Sequence, residues 1–250
     1  MNGEISLSRL VEETPMMGVD LEGVDEETFS VEVFPNRPDL LNIEGFARAL
    51  NGFLDFDKGL TDYTAGESGF RLIVDSKVEK VRPYISTAIV KEIDLTDEAV
   101  KSLMNVQEKL HVTHGRNRVK VAIGVHDLDK IKPDFTYTTC NPDESAFTPL
   151  EMNTEMTPRK ILSKHPKGRE YAFTLEDFRR YPIIYDARGE VLSLPPIING
   201  EYSRLSPDTR SLFIECTGLS QKSCDEAVNI IATALADRGG RIESLEIKYK

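Results

Sequence analysis

The run SLFIECTG, residues 211–218, ends in Glu215, Cys216, Thr217 and Gly218. Residues two apart in a strand share a face, so a carboxyl and a hydroxyl would be aimed together, with Cys216 on the other side. At the end of an otherwise apolar strand, that pair suggests a pocket. Just upstream, VLSLPPIINGEYS supplies Ser193, Asn199 and Glu201 around Pro195-Pro196. Proline is disfavoured in central strands, so the chain is expected to bend there. The plainer alternative is a capped strand end followed by a solvated loop. The residues alone leave both readings open.

Other chemistries have weaker support. His111, His114 and His126-Asp127 could ligate a metal, and His111-x-x-His114 fits one helical turn. No cysteine lies near, however, and Arg116, Arg118 and Lys120 follow, so hydrogen-bonding histidines are the simpler reading. There is no G-x-S-x-G, and no cysteine sits in a catalytic context. Cys216 reads as a small core residue. No Gly-rich phosphate loop suggests ATP binding by this chain.

The elements that would position the pair follow from periodicity. Thr28–Phe34 alternates as a half-buried strand. Pro35 and Pro38 force a turn, Asp39 is a plausible helix cap, and Ile43, Phe46, Ala47 and Leu50 share one helical face. Residues 58–69 (KGLTDYTAGESG) read as a linker. Strands are expected at Phe70–Val74, Tyr84–Ile93, Val119–Val125, Phe135–Thr139, Ile183–Tyr185, Val191–Leu194, Ser211–Cys216 and Arg241–Tyr249. A helix over Leu95–Leu110 is capped by Thr96, with Val100, Leu103, Met104 and Leu110 inward. A short helix starts at Thr157-Pro158, HPKGRE is a turn, and Ala172–Phe178 is helical. The last helix, capped by Ser220 or Ser223, runs to Asp237. Strands and helices mix without a strict βαβ rhythm, which favours α+β. The expected layout is a small N-terminal α/β domain (1–60), a linker (61–69) and a larger mixed-sheet domain (70–250).

With 40% hydrophobic and 29% charged residues, the 250-residue chain is of globular composition. No apolar run approaches the roughly 20 residues that span a bilayer. The opening MNGEISLSRL is no signal peptide. Three widely spaced cysteines, Cys140, Cys216 and Cys224, fit a reducing cytoplasm. A net charge of −11 disfavours a broad nucleic-acid-coating surface but leaves room for local basic patches.

PNRPDLLNIEGFARAL, VAIGVHDLDKIKP, HPKGREYAF and LSLPPIINGEYS with FIECTG, in that order, resemble the β subunit of phenylalanyl-tRNA synthetase, archaeal/eukaryotic type. The resemblance covers essentially the whole chain and only the N-terminal part of that subunit. It implies that residues 70–250 form an editing module that hydrolyses tyrosine mis-attached to phenylalanine tRNA. Glu215 would accept the tyrosine hydroxyl, Thr217 would hold the substrate backbone or orient water, and Ser193 would add a hydrogen bond. Ile184 would form an apolar wall, and Asn199 and Glu201 would reach the pocket mouth or the terminal adenosine. Arg116, Arg118, Lys120, Lys164 and Lys167 are candidates for guiding the tRNA 3′ end, although each is more simply a solvated surface charge. The resemblance further implies a synthetase α subunit as partner. ATP and Mg2+ would serve the whole enzyme, with no cofactor and no metal in this chain. The alternative is a structural and tRNA-docking module without hydrolytic activity.

Overall fold

A computed structural model describes residues 5–25 and 28–250. The first four residues of the opening segment therefore lie outside the described residues. Contacts divide the chain into two compact units, 1–63 and 64–250.

In the first unit, α1 (Leu7–Glu13) is capped by Ser6, whose hydroxyl accepts from the Arg9 amide. The antiparallel ribbon of β1 (Val19–Val24) and β2 (Phe29–Val33) follows. β2 shows the expected alternation. β1 carries acidic and glycine residues (VDLEGV) and has no counterpart in the sequence reading. α2 (Ile43–Phe53) is capped by Asn42, not by Asp39, which sits in a preceding 3-10 turn. Gly45 and Leu50 are the buried residues of α2, whereas Ile43 is exposed.

The second unit is built on one nine-stranded sheet. Its strands are β3 (Gly66–Val74), β4 (Tyr84–Lys91), β5 (Val121–Asp127), β6 (Phe135–Cys140), β7 (Tyr181–Tyr185), β8 (Val191–Leu194), β9 (Ile198–Asn199), β10 (Leu212–Gly218) and β11 (Arg241–Tyr249). Residues 66–69, within the stretch read as a linker, are the first four of β3. The order is β5-β10-β4-β11-β3-β6-β7-β8-β9. β3 runs parallel to both of its neighbours, and the other pairings are antiparallel. The class is the mixed α and β arrangement expected from the sequence.

The sheet curls until its two edges nearly meet. Asn199 of β9 donates Nδ2 to the Val125 carbonyl of β5 at 3.4 Å. Arg118 donates to the carbonyls of Pro196 (3.2 Å) and Ile197 (2.7 Å), in the turn between β8 and β9. Side chains thus bridge the seam where backbone pairing stops. The enclosed core holds Leu72, Ile85, Ile89, Phe135, Tyr137, Ile184 and Phe213, with Phe135 and Phe213 stacked at 4.1 Å between centroids. A second core, with Ile161, Leu162, Ile183 and Leu194, lies against α4 (Pro158–Lys164) and α5 (Pro166–Tyr171). HPKGRE, read as a turn, is therefore largely helical. Ala172–Phe178, read as helical, keeps only a 3-10 turn at Ala172–Thr174.

α3 (Asp97–Val112) is capped by Thr96 as expected. α6 (Gln221–Asp237), capped by Ser220, packs on β4 and β10. Leu103 and Leu110 of α3 are buried, yet Met104 is 38% exposed. Asp97, Val100, Lys101, Met104, Gln107, Glu108 and His111 recur every three or four residues along α3, and they all line a cavity. The apolar positions on that face therefore meet a hollow rather than a packed core.

Candidate functional site

The cavity, of about 600 Å³, opens along the seam between β5 and the β8–β9 edge, under α3. Ser193, Asn199 and Glu215 line it, with Ala122, Ile123 and Val125 of β5 and Pro195–Ile198 opposite. Cross-strand pairing accounts for part of this grouping. Ser193 lies opposite both Ile184 and Asn199, so these three residues form one row across β7, β8 and β9.

Glu215 lies centrally in β10, paired with Thr87 of β4 and Gly124 of β5. It is only 2% exposed, and its Oε2 has no hydrogen-bond partner. Gly124 makes room for it, because a Cβ at that position would stand 2.2 Å from Oε1. His126, on the same face of β5, is fully buried. Its Nε2 is also unpartnered and lies 3.8 Å from Glu215 Oε1. Its Nδ1 lies 2.8 Å from Ser203 Oγ, and Ser203 Oγ is 3.3 Å from the Gly200 carbonyl. Ser203 Oγ donates to the Gly200 carbonyl, so it accepts from Nδ1–H, and the Nε2 lone pair faces Glu215. Two buried polar atoms without partners, so close together, cost stability unless something binds them, about 1–3 kcal/mol for each.

Thr217 shares a face with Glu215, as the spacing requires, but Arg82 occupies its hydroxyl. The buried Arg82 guanidinium donates Nε to Thr217 Oγ1 at 2.9 Å, Nη2 to the Thr217 carbonyl at 2.8 Å and Nη1 to the Val119 carbonyl at 3.1 Å. Burial pulls the Arg82 pKa below its usual value. Thr217 is not among the cavity-lining residues, and neither is Ile184, which lies in the enclosed core. Glu201 turns away as well, pairing with Arg204 at 3.0 Å and accepting from the Glu151 amide at 3.2 Å. Cys216 points to the opposite face, beneath α6, and both it and Cys224 are fully buried. Burial pushes the Cys216 thiol well above its usual pKa, which suits packing rather than nucleophilic attack.

The histidines considered together as metal ligands have separate partners. His111 takes the Ile123 amide on Nε2 at 2.9 Å, and its Nδ1 lies 3.2 Å from Glu108. His114 contacts the Ser223 carbonyl. Burial, against the raising effect of Glu108, lowers the His111 pKa to about 4, so the ring is neutral near pH 7. Burial alone would raise Glu108. The His111 hydrogen bond and the charges of Arg118 and Lys167 outweigh it and hold Glu108 at about 2.

Among the basic candidates, Arg118 and Lys167 line the cavity, whereas Arg116, Lys120 and Lys164 do not. Arg118 is no surface charge: it is 6% exposed, bridges the seam and lies over the Tyr171 ring at 4.4 Å. Gly124, His126 and Gln107 were not singled out as substrate-site residues from the sequence. The alternation of Val121–Asp127 does place Gly124 and His126 on one face, but only pairing with β10 turns that face toward Glu215.

Residues 84–235 match the B3/4 domain family. A phenylalanine–tRNA ligase β subunit from Archaeoglobus fulgidus is 50% identical over 243 residues, 97% of this chain and 43% of the relative. One from Methanothrix thermoacetophila is 46% identical over 239 residues, 95% and 44% of the respective chains. A solved N-terminal fragment of the phenylalanyl-tRNA synthetase β subunit from Pyrococcus horikoshii superposes with a TM-score of 0.93 at 39% identity, covering 99% of this chain and 73% of that one. The chain thus spans less than half the length of the ligase subunits it resembles. Every residue of the Glu215 constellation falls within the matched region.

Proposed function

The chain belongs to the B3/4 domain family, in the form carried by phenylalanine–tRNA ligase β subunits, and we propose that its cavity hydrolyses tyrosine mis-attached to phenylalanine tRNA. The observation that carries this reading is the buried, half-unpartnered Glu215 carboxyl at the cavity wall, 3.8 Å from an equally unpartnered imidazole nitrogen. That separation is too long for a direct hydrogen bond, yet one oxygen atom between the two groups can contact both. A phenol hydroxyl placed there would donate its hydrogen to these two acceptors, of which the Glu215 carboxyl is the stronger. A phenylalanine ring leaves both groups unsatisfied. A site built around a hydroxyl rejects the analogue lacking it far better than an apolar pocket rejects the hydroxyl.

Tyrosine and phenylalanine differ by that one group, so a second site selecting for it corrects the errors of a synthetic pocket that selects against it. Hydrolysis needs a positioned water and a held ester more than a side-chain nucleophile, because an aminoacyl ester is already labile. Ser193 and Asn199, both on the cavity wall, are the side chains we assign to holding the ester end. Glu201 supports the backbone at Glu151, and Thr217 anchors the buried Arg82 guanidinium.

In this reading the partners are phenylalanine tRNA and a synthetase α subunit. Aminoacylation, with ATP and Mg2+, belongs to that α subunit, and the setting is cytoplasmic. Among the described residues no helix is long and apolar enough to cross a membrane.

Deacylation of tyrosyl-tRNA tests the proposal. Glu215→Ala should lose the preference for the tyrosyl ester while keeping the fold, as followed by circular dichroism. Hydrolysis persisting at the unaltered rate in that variant removes Glu215 as the selecting group. No hydrolysis by the unaltered protein would instead favour a structural, tRNA-docking role.

A further inference from the structure

Charge is divided unevenly along this chain. Residues 1–63 hold fourteen of its 42 Asp and Glu but only four of its 31 Lys and Arg, a net charge of −10, which leaves −1 for residues 64–250. Part of that charge sits on the β1–β2 ribbon. Asp20 lies directly opposite Glu32, and Glu22 stands at the register shift beside them. All three are exposed, and among the described residues no cation pairs with any of them. Like charges directly opposite each other destabilise a ribbon, and a cation laid across them would relieve it.

The same unit leaves apolar helix faces uncovered. Leu7, Leu10 and Val11 share one face of α1, in which no residue is buried. Ile43 and Phe53, at the two ends of α2, are exposed. Met16, in the 3-10 turn that joins α1 to β1, is 62% exposed. Among the described residues, half of the exposed large apolar side chains fall in this quarter of the sequence. Such a concentration marks an interaction surface. The charge decides what fits it. A net −10 repels a second copy of the unit, the phosphates of RNA and an anionic membrane alike. It attracts a protein surface that carries Lys and Arg around an apolar centre.

We propose that residues 1–63 dock a basic, apolar-centred protein surface supplied by the part of the ligase outside these 250 residues. Leu7, Leu10 and Val11 of α1 take its apolar side chains, and Asp20, Glu22 and Glu32 of the ribbon take its cations. More than half of each ligase subunit that this chain resembles lies outside the match, so the assembly holds ample surface to supply the occupant. The proposal rests on membership of the ligase family and is independent of the editing reading.

Met16 is the reporter, because thioether oxidation follows exposure. Hydrogen peroxide is applied to the free 250-residue chain and to the complete ligase that carries it, and Met16 sulfoxide is followed by peptide mass spectrometry. Oxidation should be about tenfold slower in the ligase. Val11→Asp puts a carboxylate on the apolar face of α1, and Glu32→Lys places a cation opposite Asp20. Neither should lower the urea midpoint of the free chain, since Val11 is exposed and the second change replaces a like-charge pair by an opposite-charge one. Each should return Met16 in the ligase to the free-chain rate. Equal rates in the unaltered chain and ligase overturn the proposal. Protection that survives both substitutions also overturns it, since another face then covers Met16. Protection that appears in the free chain as its concentration rises assigns the face to a second copy and overturns the basic occupant. If a variant does not fold, the unaltered pair decides alone.

Discussion

Replacing Gly124 by alanine adds one methyl group directly beneath Glu215. The new Cβ would stand 2.2 Å from Glu215 Oε1, 2.9 Å from its Cδ and 2.9 Å from His126 Nε2. The first distance is about 1 Å short of an ordinary contact, so the carboxyl must move by about that much. The obstacle is the far end of a flexible side chain rather than backbone, which keeps the stability cost small. Overpacking of about 1–3 kcal/mol is offset in part by the lower chain entropy of alanine in the unfolded state, leaving about 1–2 kcal/mol. Function should respond more strongly. A 1 Å misplacement of a recognition group can cost about a hundredfold in rate, so tyrosyl-tRNA deacylation should fall by about that factor. The assay pairs urea unfolding with single-turnover deacylation. If the variant stays folded within about 2 kcal/mol and hydrolyses tyrosyl-tRNA at the unaltered rate, the Glu215–His126 recognition scheme is wrong.

Two further outcomes separate structural from recognition roles. Thr217→Val leaves the buried Arg82 Nε–H without its acceptor, so stability measured by urea unfolding should drop by about 1.5–3 kcal/mol. The tyrosine preference should survive, whereas its loss in a folded variant would place the Thr217 hydroxyl at the substrate. His111 predicts a pH dependence. Its folded-state pKa, lowered by burial to about 4, lies below the ordinary 6.5, so the unfolded chain binds the proton first. This contribution is complete above pH 6.5 and is lost as the pH falls toward 4, amounting to about 3 kcal/mol across that window. The charges facing the ring come from Glu108 and Arg118, and Glu108 titrates only near 2, below this window. Thermal melts between pH 7 and pH 4 should show the slope, and His111→Gln should flatten it.

Part of this architecture was written in local sequence. Two-residue alternation put Glu215 and Thr217 on one face and Cys216 on the other, because the strand period is a property of the backbone itself. The caps at Thr96, Thr157 and Ser220 were legible for the same reason: each side chain bonds an amide two or three residues away. Asp39 misled because Pro38 begins a 3-10 turn first, which delays the cap to Asn42. β1 was missed because its acidic and glycine residues lack an apolar alternation of their own, and pairing with β2 defines it.

What local pattern could not reach was the closure of the sheet. Thr217 meets Arg82 from 135 residues away, so its hydroxyl, which the spacing seemed to offer to a substrate, is already engaged. Glu215 meets Gly124 and His126 only because β10 lies between β4 and β5, and strand order is set by long-range packing. Arg118 turned from a surface charge into a bridge because the β8–β9 turn comes back to it across the seam. The sequence by itself determined which side chains stand together along each element. The tertiary structure decided which of them are left without partners inside a cavity, because that depends on which other elements satisfy their hydrogen bonds.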